Sequence, residues 1–164
     1  VGLVAVIEPD SELMLPELRA AEQLWQTLRY FIASGAHVVT AQTYRPEHYL
    51  WSYLNKIKNF YKSELVQRAA FKYPPYCGLV RFTLQNNNEV EAIKQARLLK
   101  RQLLPYLSSP TELVGPYPDY YKQVRGLYRW HLLLKHSKQF NPATLWAHLS
   151  NEVIIDKDPR NVLS

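Results

Sequence analysis

Apolar and polar positions divide the chain into two textures. The first seven residues, Val1-Gly2-Leu3-Val4-Ala5-Val6-Ile7, form a continuous apolar run, the mark of a strand buried on both faces. Such a strand needs neighbours that the rest of the chain hardly offers, so the start reads as a cut through a larger protein. Leu18, Ala21, Leu24/Trp25 and Leu28 recur at helical spacing and predict a helix over about 18–32, ended near Gly35. Residues 37–43 read as a second buried strand, and Pro46 as the first turn of the next helix. From there to Phe71 two helical pieces share one apolar stripe: Leu50, Tyr53/Leu54, Ile57, Phe60/Tyr61, Leu65 and Ala69. Tyr73-Pro74-Pro75-Tyr76 breaks the helix, because proline lacks an N–H and restricts the residue before it. The boundary between domains 1–73 and 74–164 is placed there.

Beyond the break, Val80, Phe82 and Leu84 alternate with Arg81, Thr83 and Gln85, which is strand periodicity. Asn86-Asn87-Asn88 is a turn, and Asn88 with Glu91 has the spacing of a capping box. A helix follows to about Leu107, with Val90, Ile93, Ala96, Leu99 and Leu103 inward. Next come strand-like 112–116, a loop at Pro118-Asp119, strand-like 122–124 turning at Gly126, and a strong strand over 127–135. Asn141-Pro142 caps a short helix to about residue 150, with Leu145, Trp146 and Leu149 inward, and 152–156 closes as a strand. The order β-α-β-β-α-β is that of a split βαβ sandwich of the ferredoxin-like kind, so the chain is assigned to the α/β class.

Composition sharpens this division. The 164 residues carry a formal net charge of +6, unevenly spread: 8 Lys/Arg against 7 Asp/Glu in 1–73, but 12 against 7 in 74–164. Between Lys94 and Lys138 there are 9 basic residues and only Glu112 and Asp119 oppose them. An anionic partner, if there is one, belongs to the second half. The lone cysteine, Cys77, excludes an intrachain disulfide and a cysteine-based zinc cluster, and suits the reducing cytoplasm. It reads as a small buried apolar residue. No apolar stretch is long enough for a transmembrane helix.

Few residues carry recognisable chemistry. Five glycines, at 2, 35, 78, 115 and 126, cannot compose a phosphate-binding loop. The histidines at 37, 48, 131, 136 and 148 lack metal-ligand spacing and read as surface or internally partnered residues. Asp156 and Asp158 read as the end of a strand before Pro159 rather than as a catalytic carboxylate pair. The basic features point further. Lys94, Arg97 and Arg101 share one stripe of a helix. Downstream, Lys122, Arg125, Arg129 and Lys135 interleave with Tyr120, Tyr121, Tyr128 and Trp130. Cations follow a phosphate backbone and aromatic faces stack on bases, the make-up of a single-strand or junction binder. The candidate DNA contacts are Lys94, Arg97, Arg101, Lys122, Arg125, Tyr128, Arg129 and Trp130. Composition leaves a second reading open, in which the stripe is a solvated helix face and Trp130, Leu132 and Leu134 are core.

Ordered motifs then identify a family. Val4–Asp10 followed by Leu15-Pro16-Glu17-Leu18-Arg19-Ala20-Ala21-Glu22 resembles a stretch of the PriA replication-restart helicases in which a buried strand ends in Asp and Pro-Asp-Phe-Arg-Ala-x-Glu follows. Gln42-Thr43-Tyr44-Arg45-Pro46-Glu47-His48 resembles their Gln-Thr-x-x-Pro-x-His. Phe60-Tyr61-Lys62-Ser63-Glu64-Leu65, Arg68 and Tyr73-Pro74-Pro75-Tyr76 resemble Phe-Tyr-x-x-Glu-Leu, Arg and Tyr-Pro-Pro-Phe. Gly115-Pro116, Arg129-Trp130 and Ile155-Asp156-Lys157-Asp158-Pro159 resemble the end domain.

The resemblance implies that 1–73 closes a RecA-like second helicase lobe and that 74–164 is a C-terminal domain similar in fold to a small-subunit ribosomal protein. It implies binding to branched or single-stranded DNA, and partnership with single-stranded DNA-binding protein and other primosome proteins. ATP, magnesium and zinc are implied only for the full-length family, whose sites for them lie upstream. One motif departs from the pattern. Where the family carries Gln-Val-x-Gly-Arg-x-Gly-Arg, whose arginines stabilise the transferring phosphate, this chain reads Leu28-Arg29-Tyr30-Phe31-Ile32-Ala33-Ser34-Gly35 and is several residues shorter. Arg29 falls before the motif. The leading expectation is a DNA-binding and loading segment with degenerate ATPase function. The alternatives are part of an active 3′–5′ DNA helicase, or a domain that receives the tail of single-stranded DNA-binding protein.

Overall fold

The computed structural model describes residues 2–14 and 17–162. Val1 of the opening run and the Leu15-Pro16 pair of the first motif lie outside them. The backbone divides between Gln67 and Arg68 into two compact units, whereas the proline break of the sequence lies at 74–75.

The first unit is a β-α-β turn of chain with added helices. Strands β1 (Leu3–Ile7) and β2 (Val38–Gln42) pair in parallel, Leu3 opposite Val38 and Ile7 opposite Gln42. A short helix α1 (Asp10–Leu13) and the longer α2 (Ala20–Ala33) connect them. Leu24, Trp25 and Leu28 share the buried face of α2 because they recur at three- and four-residue spacing. They pack on Leu50 of α3 (Tyr49–Ser52) and Phe60 of α4 (Ile57–Ala70). The Trp25 and Phe60 rings stack at 4.5 Å, and the Trp25 indole N–H donates to the Tyr53 carbonyl at 3.1 Å. Gly35 follows α2 at φ +82°, the left-handed conformation that ends helices without strain only at glycine.

Three expectations are corrected in this unit. β1 is not buried on both faces: Val4 and Val6 turn inward, while Leu3 and Ile7 stay exposed. Pro46 does not open a helix, since α3 starts at Tyr49, where the His48 ring accepts from the Leu50 N–H. The long stripe keeps Leu50, Tyr53, Leu54 and Phe60, but Ile57, Tyr61 and Leu65 are exposed and Glu64 takes an inward position instead. Glu64 can occupy an inward position because the Tyr49 hydroxyl donates to its carboxylate.

The second unit is a four-stranded antiparallel sheet with order β4-β5-β3-β6. Its strands are β3 (Gly78–Asn86), β4 (Glu112–Pro118), β5 (Tyr128–His136) and β6 (Ile154–Lys157). Helix α5 (Glu89–Leu103) and one 3-10 turn (Leu104–Tyr106) cross from β3 to β4. Val80, Phe82 and Leu84 of β3 and Leu132 and Leu134 of β5 meet Ala96, Leu99 and Leu103 of α5 in the core. Asn88 caps α5 by accepting from the N–H groups of Val90 and Glu91 at 2.9 and 3.3 Å. The reciprocal half of the capping box is replaced: Asn86 accepts from the Asn88 N–H, and Glu91 pairs with Lys94 instead.

Local geometry revises four further expectations. Val90 is exposed, because it lies about 200° around the helix from the buried Ala92. Residues 122–124 make only one bridge, Val124 to Leu127, closed by Arg125 and Gly126 at φ +52° and +80°. Positive φ at both central residues is the signature of a tight hairpin turn. Residues Pro142–His148 form a 3-10 helix, not an α-helix, capped by Asn141 and held by i to i+3 bonds such as Leu149 N–H to Trp146. Cys77 is only half-buried, and its thiol donates to the Lys72 carbonyl at 2.9 Å.

Candidate nucleic-acid interface

The outer face of α5 presents Lys94, Arg97 and Arg101, while Ala92, Ala96 and Leu99 hold its inner face against the sheet. Small residues at 92 and 96 let the helix approach closely. Val90, Ile93 and Leu98 line a shallow groove with the three cations. Lys94 makes an exposed ion pair with Glu91 at 3.6 Å, the kind that contributes little to stability. Arg97 and Arg101 have no acidic partner among the described residues. Lys100 turns the other way and donates to the Gly115 carbonyl of β4.

The loop between β4 and β5 joins this surface. Lys122 reaches Glu89 in the first turn of α5 at 3.7 Å, so the hairpin loop lies beside the N-terminal end of that helix. Arg125 sits exposed in the turn. The other three candidate contacts are placed less freely. Tyr128 is half-buried, and Trp130 packs against the core cluster, so its ring is not an open stacking face. Arg129 alternates to the opposite face of β5, and its Nε is buried without a hydrogen-bond partner. Tyr120 and Tyr121, which the sequence reading counts as interleaved aromatics but leaves outside the contact set, are more than half exposed.

The face of the sheet away from α5 holds a buried polar network. Thr83 lies opposite His131 in the ladder, and the Thr83 hydroxyl and His131 Nδ1 are 2.9 Å apart. His131 Nε2 is 3.4 Å from the Asp119 carboxylate. Burial pushes the His131 pKa down to about 4, helped by Arg81 and Arg129 and opposed by Asp119. A hydroxyl, an imidazole and a carboxylate in sequence would suit nucleophilic catalysis. All three side chains are buried, however, so no substrate reaches them and their role is structural. Nearby, Arg81 binds Asp156 at 3.0 Å and donates to the Asn161 carbonyl. The Tyr117 hydroxyl donates to the Val162 carbonyl at 2.6 Å, and burial raises its pKa to about 12. Asp156 is thus spent on Arg81, and Asp158 follows β6 at φ +50°, its N–H donating to the Leu79 carbonyl.

Asp10, Arg29 and Glu64 of the first unit are likewise engaged internally. Asp10, at the carboxyl end of β1, accepts from the Thr43 hydroxyl at 2.8 Å and the Tyr44 N–H at 2.9 Å. Burial acts to raise its pKa, but these two bonds outweigh it and hold the carboxyl below its ordinary value. Arg29 donates to Asn55 at 3.0 Å and lies over the Trp25 ring. Among the described residues no three His, Cys, Asp or Glu side chains gather to hold a metal ion.

A family model described as the primosomal protein N C-terminal domain matches residues 69–163, more than half of the chain. The chain belongs to the PriA family. Replication restart protein PriA of Synechocystis sp. is 34% identical over 146 residues, covering 83% of this chain and 17% of the relative. The Bacillus subtilis protein of that name is 27% identical, covering 85% and 18%. The Chlamydia trachomatis one is 29% identical, covering 97% and 23%. The chain thus spans less than a quarter of the length of these PriA relatives. The PriA match begins one residue after the division at Gln67/Arg68 and takes in α5, the hairpin loop and the whole four-stranded sheet.

Proposed function

We propose that this chain is a DNA-binding segment of a PriA-type replication-restart protein, which recognises branched or single-stranded DNA and helps to load the replication machinery. The observation that carries the reading is the outer face of α5, where Arg97 and Arg101 stand exposed beside Lys94, without acidic partners among the described residues. A charge row of this kind stays in solution only at the cost of mutual repulsion, which a phosphate backbone relieves. Lys122 and Arg125 extend the row into the hairpin loop. On this reading the second unit is a split βαβ sandwich, supported by its strand order, and the first is the remnant of a RecA-like lobe, supported by its parallel pair.

The test is fluorescence anisotropy with forked, single-stranded and blunt duplex DNA. Replacing Lys94, Arg97 and Arg101 together by Ala lowers affinity for all three forms, whatever their sequence. Each arginine that meets a phosphate takes about one from the slope of log affinity against log salt. Unchanged binding by the triple variant overturns the site.

Partners follow from the same surface. The acidic tail of single-stranded DNA-binding protein would compete with DNA for these cations, and other primosome proteins belong to the same assembly. Such work places the protein in the cytoplasm. ATP-driven unwinding, with ATP and magnesium, is not assigned to these residues: Arg29 is folded onto Asn55 and Trp25, away from a finger role. If replacing Arg29 abolishes DNA-stimulated ATP hydrolysis in the full-length protein, the helicase alternative stands instead.

A further inference from the structure

Tyr120 and Tyr121 are 55% and 64% exposed, side by side in the loop between β4 and β5. Their rings meet edge to face, centroids 5.2 Å apart and planes at 87°. In that contact one ring keeps both faces clear of its neighbour and the other keeps one. Neither tyrosine is used to build the unit. The loop beneath them is nevertheless fixed. The Asp119 N–H donates to the Arg129 carbonyl at 3.0 Å, continuing the ladder past the end of β4. The buried Asp119 carboxylate accepts from the Tyr121 N–H at 3.1 Å and lies 3.4 Å from His131. The Arg125-Gly126 turn closes the far end, and Lys122 makes an exposed pair with Glu89 of α5 at 3.7 Å. Open aromatic faces are thus held in place beside cations, so little ordering is required on binding.

We infer that Tyr120 and Tyr121 form a base-stacking subsite for unpaired nucleotides, and that this loop, rather than the α5 stripe, distinguishes single-stranded from duplex DNA. The inference rests on the DNA-binding reading above. Its physical basis is that bases within a duplex already stack on each other and show only their edges, whereas an unpaired base offers a π-face to a side chain. The α5 cations meet phosphates, which both forms carry. Trp130, an aromatic of the same stretch, cannot share the task because it packs on the core.

The experiment uses the whole chain with four probes: an oligothymidylate, an abasic strand of the same length, a blunt duplex and a fork. Tyr120→Ala with Tyr121→Ala should weaken oligothymidylate binding roughly 10-fold or more, the effect of losing about one stacked base. Blunt-duplex binding should change less than about twofold, within the range of an unconnected surface change. Tyr120→Phe with Tyr121→Phe keeps the rings and should bind like the parent, and the parent should bind the abasic strand as weakly as the alanine variant binds oligothymidylate. Equal losses on strand and duplex overturn the inference, as does undiminished binding of the abasic strand. If the α5 variant loses all DNA while the tyrosine variant loses none, the inference alone fails. If the parent binds none of the four probes, the DNA-binding reading fails with it.

Discussion

β1 and β2 leave Leu3, Ile7 and Val38 more than half exposed, whereas β3 and β5 bury side chains on both faces. Val80, Phe82, Leu132 and Leu134 meet α5 on one side; Leu79, Thr83, His131 and Leu133 are covered on the other. The difference extends to polar groups. In the first unit Asp10, Arg29 and Glu64 all have internal partners. In the second Thr83, His131 and Asp119 are partnered inside, yet Arg97 and Arg101 have no acidic partner among the described residues. A unit whose core is closed can leave charge outside for a partner. In the first unit Asp10 instead holds the Thr43-Tyr44 loop, at the carboxyl ends of the parallel strands, where ligands of open α/β sheets usually bind.

The largest test of this contrast is in the closed core. Phe82→Ala removes a fully buried ring from the centre of the sheet and should destabilise the second unit by about 3–5 kcal/mol, measured by urea unfolding. A loss below about 1 kcal/mol would place the core elsewhere. Next in size is a pH effect on the opposite face. His131 has a folded pKa of about 4 against the ordinary 6.5, so the unfolded chain binds the extra proton between those values. Stability is therefore complete above pH 6.5 and falls as pH drops towards 4, by up to about 2–3 kcal/mol. His131→Gln should flatten the profile in that window; an unchanged slope would assign it to another group.

These tests also mark what the sequence made legible. Alternation at Val80, Phe82 and Leu84 located β3, and Asn88 announced the start of α5. The stripe Lys94, Arg97 and Arg101 was visible from spacing alone. The His131 network was not, because Asp119, Thr83 and His131 come from three places and carry no local pattern. Nor could composition separate Trp130 from Tyr120 and Tyr121. All three are aromatic beside a cation, and only the pleat of β5 sends Trp130 onto the core and leaves the loop tyrosines outside. The exposure of Ile7 was half legible: the apolar run says that both faces favour burial, and the rest of the chain hardly offers the cover.

A smaller effect probes how α5 is held. Asn88→Ala removes the acceptor for the Val90 and Glu91 N–H groups and should cost about 1 kcal/mol, read from the same unfolding curve. Asn88→Ser should recover most of it, since serine caps comparably. No recovery would mean that the loss does not come from the capping oxygen of the side chain.

The smallest expected effect bears most directly on the contrast between the sheets. Ile7 is three-quarters exposed at the end of β1, so Ile7→Thr keeps the β-branched shape and loses only apolar surface that water already touches. Stability of this chain should change by less than about 0.5 kcal/mol. Val6→Thr, one position earlier and turned inward, should cost more, because its side chain packs against the cluster around Leu24 and Phe60. If the two substitutions cost the same, the face of β1 that carries Ile7 is covered in solution. The parallel pair would then be as closed as the four-stranded sheet, and the contrast between the two sheets would be lost.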